Sequence, residues 1–347
     1  MVKKPKFGSW ISIKKINKLN NFGIITVQEP WEILEPKITT TPKFVVYNNN
    51  MALSHLEELY KSLRKFIKKD FSLIGIGGGS PCDTAKYIAW KMANESKKKV
   101  DLFLMPSIIS VDAFLCSSIA VRVNGKVNYI GESAPEEILV DYELIKKAPK
   151  FLNRAGVSDT ISITSALGDW KIAVKENNDN FDQSVFNRAR EIAKDLMDAR
   201  TEIKKVSDKG IKSLVQGFYN EVKLCEEWGN ARPEEGSEHF LAYCLESITK
   251  KHYIHGNLIG LNILISLYLQ EDNAVFPIDD IHQFFDDINL NFKPEEQNIS
   301  YASLQKALLK VQDYVVSEDL FYSIYNSPQL ILSEEKVEEI INFVKSL

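Results

Sequence analysis

Cysteine is scarce in this sequence, and the few cysteines are widely scattered. The 347 residues contain only Cys82, Cys116, Cys225 and Cys244, with no Cys-x-x-Cys pair. Such spacing fits neither a disulfide framework nor a thiolate metal site, and it indicates a reducing, cytoplasmic compartment.

The sequence also lacks an apolar run of about 18 residues, and no apolar segment follows its basic N-terminus. We therefore expect neither a membrane span nor a secretory signal. The formal net charge is −4, so there is no basic surplus for binding nucleic acid. These absences argue against a nucleic-acid-binding or membrane-spanning protein.

Residues 73–86 read LIGIGGGSPCDTAK and predict a buried strand, a glycine loop and a helix start. Glycine allows a backbone to approach a ligand closely, and a helix N-terminus attracts anions. Ser80 fits the N-cap of this helix, with Asp83 three residues later as in a capping box. The pattern fits either a pyrophosphate cradle or a capped turn without a ligand.

Short apolar segments alternate with helical patterns in the first part of the chain, which predicts a doubly wound, Rossmann-like parallel sheet. The predicted strands include residues 22–27, 43–47, 73–76, 101–105 and 138–140. Three prolines in residues 29–42 leave room for one helical turn at most. Asn124-Gly125 predicts the turn of a β-hairpin.

From residue 151 onward the apolar residues recur at helical spacing, almost without strands. We therefore predict two domains. Residues 1–149 would form an α/β dinucleotide-binding domain, and residues 150–347 an all-α domain for metal and substrate.

Histidine is also rare, and three of the five histidines lie between His239 and His255. The segment KKHYIHG (250–256) predicts a turn between two helices, which would let His239 and His255 face one point. With Asp159, they would make a three-ligand zinc or iron site with one open position. The alternative is that these histidines are helix caps or satisfied polar groups.

Several segments together resemble one family. GIGGGSPCDTAK, MPSIISVDAF, RAGVSD, SALGDWKIA, GSEH and IHG occur in the order found in the polyol dehydrogenases related to glycerol dehydrogenase, dehydroquinate synthase and iron-containing alcohol dehydrogenases. The glycerol-1-phosphate dehydrogenase branch is the most similar. The resemblance implies a dehydroquinate synthase-like fold, NAD or NADP, zinc rather than iron, a polyol or keto phosphate as substrate, and a homo-oligomer.

The resemblance also implies roles for individual residues. The dinucleotide would be bound by Gly77, Gly78, Gly79, Ser80, Asp83, Ser107, Ser110 and Cys116. Asp159, His239 and His255 would bind the metal, and Asp112 would contact substrate hydroxyls. Tyr243 stands where the branch carries a histidine that contacts substrate.

Two other functions stay open at this point. One is a cyclase or lyase of the dehydroquinate synthase kind that uses NAD transiently, although its first metal ligand would be a glutamate rather than Asp159. The other is a non-catalytic relative, suggested by Tyr243 and by the short connection at 29–42.

Overall fold

A parallel sheet organises the first of two compact units, Met1–Asn153. The computed structural model describes residues 2–124 and 126–347. The strands of this unit are β1 (Lys6–Gly8), β2 (Phe22–Thr26), β3 (Val45–Tyr47), β4 (Ser72–Gly77), β5 (Asp101–Pro106), β6 (Ser118–Val123), β7 (Lys126–Glu132) and β8 (Glu137–Asp141). Six of them pair in the order β1-β8-β5-β4-β2-β3, every pair parallel.

The remaining two strands, β6 and β7, form the predicted antiparallel hairpin. Gly125 of its predicted turn lies outside the described residues. Strand β7 is largely exposed, whereas β4 is buried along its whole length. The apolar run of β4 therefore lies at the centre of the sheet, as expected for a parallel strand covered on both faces.

The helices of the first unit include one in the connection at residues 29–42, where at most one helical turn was predicted. They are α1 (Ile11–Ile16), α2 (Gln28–Leu34), α3 (Leu53–Leu63), α4 (Gly79–Glu95) and α5 (Tyr142–Ile145), and α6 (Lys150–Ala155) runs across the boundary to the second unit. The prediction of at most one turn in residues 29–42 was wrong. Pro30 lies in the first turn of α2, where a missing N–H costs nothing, so the helix continues to Leu34.

The second unit, Arg154–Leu347, is helical, and no strand is described within it. Its helices are α7 (Val157–Ile161), α8 (Ile163–Asn177), α9 (Gln183–Asp198), α10 (Arg200–Lys205), α11 (Asp208–Trp228), α12 (Ser237–Thr249), α13 (His255–Gln270), α14 (Ile278–Ile288), α15 (Tyr301–Ser317) and α16 (Glu334–Ser346). The predicted fold class, a parallel sheet followed by an all-α region, is confirmed.

The helical spacing after residue 151 does not reveal that the first long helical segment of this unit is interrupted at Ser162. The Ser162 hydroxyl is within hydrogen-bonding distance of two carbonyl oxygens, those of Asp159 and Glu234. The interruption separates α7 from α8 and ends the short helix that carries Asp159. Among the described residues, no helix combines the length and the apolar character needed to cross a membrane.

Candidate metal centre and dinucleotide site

Three side chains converge around the carboxylate of Asp159 in the second unit. Asp159 lies on α7, His239 on α12, and His255 is the first residue of α13. Nε2 of His255 lies 3.0 Å from Asp159 Oδ1, and Nε2 of His239 lies 3.8 Å from the same oxygen. One potential ligand atom from each of the three residues lies within 4.8 Å of the ligand atoms of the other two.

This donor set fits a divalent metal ion. One carboxylate oxygen and two imidazole nitrogens are typical of catalytic zinc sites that keep further positions for water or substrate. His255 keeps 36% of its side chain exposed, whereas Asp159 and His239 are buried, so the group is open on the His255 side. The structure thus brings together the three residues predicted as ligands.

Gly256 allows α13 to begin against the end of α6, just before α7. A Cβ at this position would lie only 1.7 Å from the carbonyl oxygen of Ala155, so any larger residue would force the backbones apart. Residues 250–254 are not helical and reverse the chain after α12. The turn predicted from KKHYIHG therefore exists, and the close approach at Gly256 places His255 on Asp159.

Charge and burial oppose each other at this centre. Burial lowers the pKa of His239, but hydrogen bonds to Asp159 and Glu238 outweigh it and raise that pKa well above 6.5. Burial raises the pKa of Asp159, but the charge of His255 and hydrogen bonds from both histidines lower it below its usual range. At this site the interactions between carboxylates and imidazoles therefore outweigh burial in setting the two pKa values.

Two residues that the sequence analysis did not single out, Glu238 and Ser165, lie behind His239. Glu238 Oε1 is 2.9 Å from Nδ1 of His239, and the Ser165 hydroxyl donates to Glu238 Oε2 at 2.7 Å. Glu238 directly precedes the predicted ligand His239, and this position in the sequence could have indicated its role. Ser165 lies 73 residues before Glu238, and no sequence pattern links the two residues.

Tyr243, which the resemblance places at a substrate-contacting position, lies one helical turn after His239. Its ring centroid is 6.0 Å from that of His239, and its hydroxyl donates to Oε1 of Glu235 at 2.8 Å. His252, by contrast, keeps 55% of its side chain exposed and lies 3.7 Å from Glu246. The structure thus places Tyr243 beside the metal ligands and turns His252 toward solvent.

The glycine loop lies at the carboxyl end of β4, in the first unit. Gly77 has φ +152°, and a Cβ there would meet the Pro81 ring at 2.5 Å. A Cβ on Gly78 would approach Ile108 at 2.9 Å, and one on Gly79 would approach Val111 at 3.3 Å. Glycine is therefore needed at Gly77 for its backbone conformation and at Gly78 for close packing.

The prediction of Ser80 as the N-cap of α4 was wrong. The helix begins at Gly79, with Gly78 as its N-cap, and no described side chain caps it. The glycines let the helix begin earlier, which puts Ser80 inside its first turn, where its carbonyl accepts a bond from the Thr84 hydroxyl at 2.7 Å. Without a side-chain cap, the helix N-terminus remains suited to an anion such as a pyrophosphate.

The loop after β5 brings the other predicted dinucleotide residues to the glycines. The N–H of Ser107 donates to the Gly77 carbonyl at 3.0 Å, and Ser110 Oγ lies 4.0 Å from the position of a Cβ on Gly78. Farther along this loop, the Cys116 thiol donates to Oδ2 of Asp112 at 2.7 Å. These predicted residues therefore line one end of the sheet.

Asp83, also predicted to bind the dinucleotide, pairs with a buried lysine of the same helix. Its Oδ1 lies 2.6 Å from Nζ of Lys86, and both side chains are almost completely buried. The same Nζ donates to the carbonyl oxygens of Cys116 and Ser118. Asp83 can therefore affect a dinucleotide through the structure of the loop, by way of Lys86.

Similarity to known proteins agrees with this arrangement. Residues 24–142 match the family model for iron-containing alcohol dehydrogenase. The protein named glycerol-1-phosphate dehydrogenase NAD(P)+ from Thermoplasma acidophilum is 28% identical over 237 residues, which are 68% of this chain and 64% of the relative. Its namesake from Thermoplasma volcanium is 26% identical over 291 residues, 82% of this chain and 79% of the relative.

The alignment with the first of these relatives thus spans slightly less than two thirds of that protein's length. Among solved structures, a probable glycerol dehydrogenase from Sinorhizobium meliloti superposes with a TM-score of 0.72, covering 99% of this chain and 97% of the other. The sequence identity is 17%, so this likeness establishes the fold.

Proposed function

We propose that the chain is a zinc-dependent, NAD(P)-linked dehydrogenase that interconverts a small phosphorylated polyol and its ketone, and the match of residues 24–142 to the family model for iron-containing alcohol dehydrogenase supports this. The observation that carries the proposal is the convergence of Asp159, His239 and His255. The relatives named glycerol-1-phosphate dehydrogenase support the substrate class.

Each residue has a distinct role in this proposal. A zinc ion held by Asp159, His239 and His255 would supply a Lewis acid that polarises a hydroxyl or carbonyl oxygen. Asp112 accepts hydrogen bonds from substrate hydroxyls, since a carboxylate is an acceptor. Tyr243, whose hydroxyl is oriented by Glu235, contacts the substrate.

The dinucleotide is assigned to the first unit. Gly77, Gly78 and Gly79 admit its pyrophosphate to the N-terminus of α4, where the helix dipole favours negative charge. Ser107 and Ser110 lie on the nicotinamide side, together with Cys116. The family resemblance supports zinc rather than iron, since Ile163 stands four positions after Asp159, where a histidine would favour iron.

The proposal is tested by metal analysis and nicotinamide absorbance on matched histidine variants. With zinc and dihydroxyacetone phosphate, the wild type should oxidise NADH or NADPH. His255→Ala should lose bound zinc, and its kcat/KM should fall at least about 100-fold, since a Lewis acid contributes several kcal/mol to catalysis. His252→Ala, an exposed neighbour three positions earlier, should retain both properties.

Three results would contradict the proposal. The first is no turnover across a panel of ketones and keto phosphates while zinc is bound. The second is phosphate release without net oxidation of the nicotinamide, which would indicate the cyclase or lyase reaction. The third is equal zinc binding by wild type and His255→Ala, which would remove the metal assignment.

A cytoplasmic location and a homo-oligomeric state complete the proposal. The scattered cysteines support the first, because they suit a reducing compartment. The family resemblance supports the second. Light scattering on the purified protein tests it, and a monomer at micromolar concentration would contradict it.

A further inference from the structure

Glu238 is a fully buried carboxylate that contacts the candidate metal ligand His239 on the side away from Asp159. Its Oε1 lies 2.9 Å from His239 Nδ1 and accepts the N–H of Gly236 at 2.7 Å. Its Oε2 lies 2.7 Å from the hydroxyl of Ser165. Three donors from two different segments therefore converge on one carboxylate.

These contacts require a proton on Nδ1 of His239. An ionised carboxylate only accepts hydrogen bonds, so Nδ1 of His239 must be the donor to Glu238. The ring then presents Nε2 to Asp159 Oδ1, at 3.8 Å. A neutral imidazole in this tautomer has its free lone pair on Nε2, the atom that belongs to the candidate ligand group.

Glu238 is itself fixed in place on both sides. Asn262 of α13 donates to its main-chain carbonyl at 2.9 Å, and Ser165 of α8 holds its side chain. A carboxylate behind a ligating imidazole fixes the ring orientation and increases the basicity of the ligand. From this geometry we infer that Glu238, supported by Ser165, is a positioning residue that sets the metal affinity of the centre through His239.

This inference rests on the proposed metal site, and its test separates the two. Glu238→Gln preserves the shape and most hydrogen bonds, because the amide oxygen can accept from Gly236 and His239. The amide nitrogen can then donate to Ser165, whose hydroxyl can turn to the carbonyl of Ser162 at 3.1 Å. The substitution therefore removes the negative charge with little change in packing.

Zinc affinity, measured by competition with a chelating dye on the full-length protein, should fall about 10- to 100-fold in Glu238→Gln. The matched control is Glu235→Gln, which removes a charge three residues earlier, where the carboxylate binds the Tyr243 hydroxyl. The control should stay within about threefold of the wild type, since the described partner of the Glu235 carboxylate is the Tyr243 hydroxyl and not a ligand imidazole.

Unchanged affinity in Glu238→Gln would overturn the inference, and so would equal losses in the two variants, which would indicate a general charge effect. If the wild type binds no zinc, the proposed function itself fails.

A measurement on the wild type keeps the inference testable even if Glu238→Gln does not fold. The chain has five histidines, so ¹⁵N-histidine labelling gives few signals, and His239 can be assigned by elimination with variants of the other four. In the zinc-loaded protein, Nδ1 of His239 should carry the proton. A proton on Nε2 would overturn the inference.

Discussion

Asp169 is a buried carboxyl group that joins three segments of the second unit. Its two oxygens accept the N–H groups of Ser237 at 2.6 Å and Ile324 at 2.9 Å. Its carbonyl accepts a bond from the buried Arg232 guanidinium at 3.0 Å. Because Ser237 is the first residue of α12, Asp169 fixes the start of the helix that carries His239.

The pKa of Asp169 predicts a measurable pH dependence of stability. Burial, and then the negative charge of Glu238, raise this pKa from 3.8 to about 6, although hydrogen bonds from Ser237 and Ile324 oppose the shift. The folded state therefore binds the proton more tightly than the unfolded state. The protonated Asp169 carboxyl group therefore stabilises the folded state fully below pH 3.8. This contribution, at most about 3 kcal/mol, should be lost as the pH rises through about 6.

Asp169→Asn should remove this dependence. Urea unfolding between pH 4 and 7, with a chelator present, should show the variant gaining stability relative to the wild type as the pH rises. The loss of one hydrogen-bond acceptor lowers the unfolding free energy of the variant by the same amount at every pH. The informative quantity is therefore the slope of the unfolding free energy against pH. Asp195→Asn, on an exposed site, is the control. A pH-independent difference between wild type and Asp169→Asn would contradict the expectation.

At the scale of elements, Lys86 joins α4 to the segment that begins β6. Its Nζ pairs with Asp83 at 2.6 Å and donates to the carbonyl oxygens of Cys116 at 3.1 Å and Ser118 at 2.6 Å. Burial raises the pKa of Asp83, and the nearby ammonium group opposes this shift. The pair therefore compensates two charges that would each be costly alone.

Lys86→Met should destabilise the protein by about 3–5 kcal/mol, because it leaves the buried Asp83 carboxylate without its counter-charge. Chemical denaturation of the single variant and of Asp83→Asn/Lys86→Met measures this effect. The double variant should recover part of the loss, since the remaining amide carries no charge. A double variant that is less stable than Lys86→Met would show that the ion pair is not the source of the effect.

Local patterns predicted most elements, and long-range pairing explains what they missed. The apolar strand ending at Gly77 and the helices after residue 151 follow from spacing alone. Strand β1 has no apolar run and is fixed by its pairing with β8, for example Phe7 with Val140. No local pattern could indicate a partner more than 130 residues away.

At the candidate metal site, too, local patterns indicated some residues and long-range packing was needed for the others. His239 and His255 were found because one turn brings them together, and Asp159 was supported by the family resemblance. Glu238 and Ser165 meet only after α8 and α12 have packed together. The sequence therefore indicated the ligands, whereas the groups that orient them required the structure.

At the scale of the whole molecule, the two candidate sites belong to different compact units. The glycine loop, Asp112 and Cys116 lie within Met1–Asn153. The three candidate ligands and Glu238 lie within Arg154–Leu347. A ligand stabilises the folded groups that it contacts, by about 2.7 kcal/mol at 100 times its dissociation constant.

Hydrogen exchange on the full-length protein should therefore separate the two ligands. Zinc should slow amide exchange in α7 and in the first turns of α12 and α13, because these segments carry the ligands. NAD should slow exchange mainly around the N-terminus of α4. Zinc should have no such effect on His255→Ala, whereas His252→Ala should behave like the wild type. Zinc protection centred on β4 and β5 would show that the metal binds elsewhere.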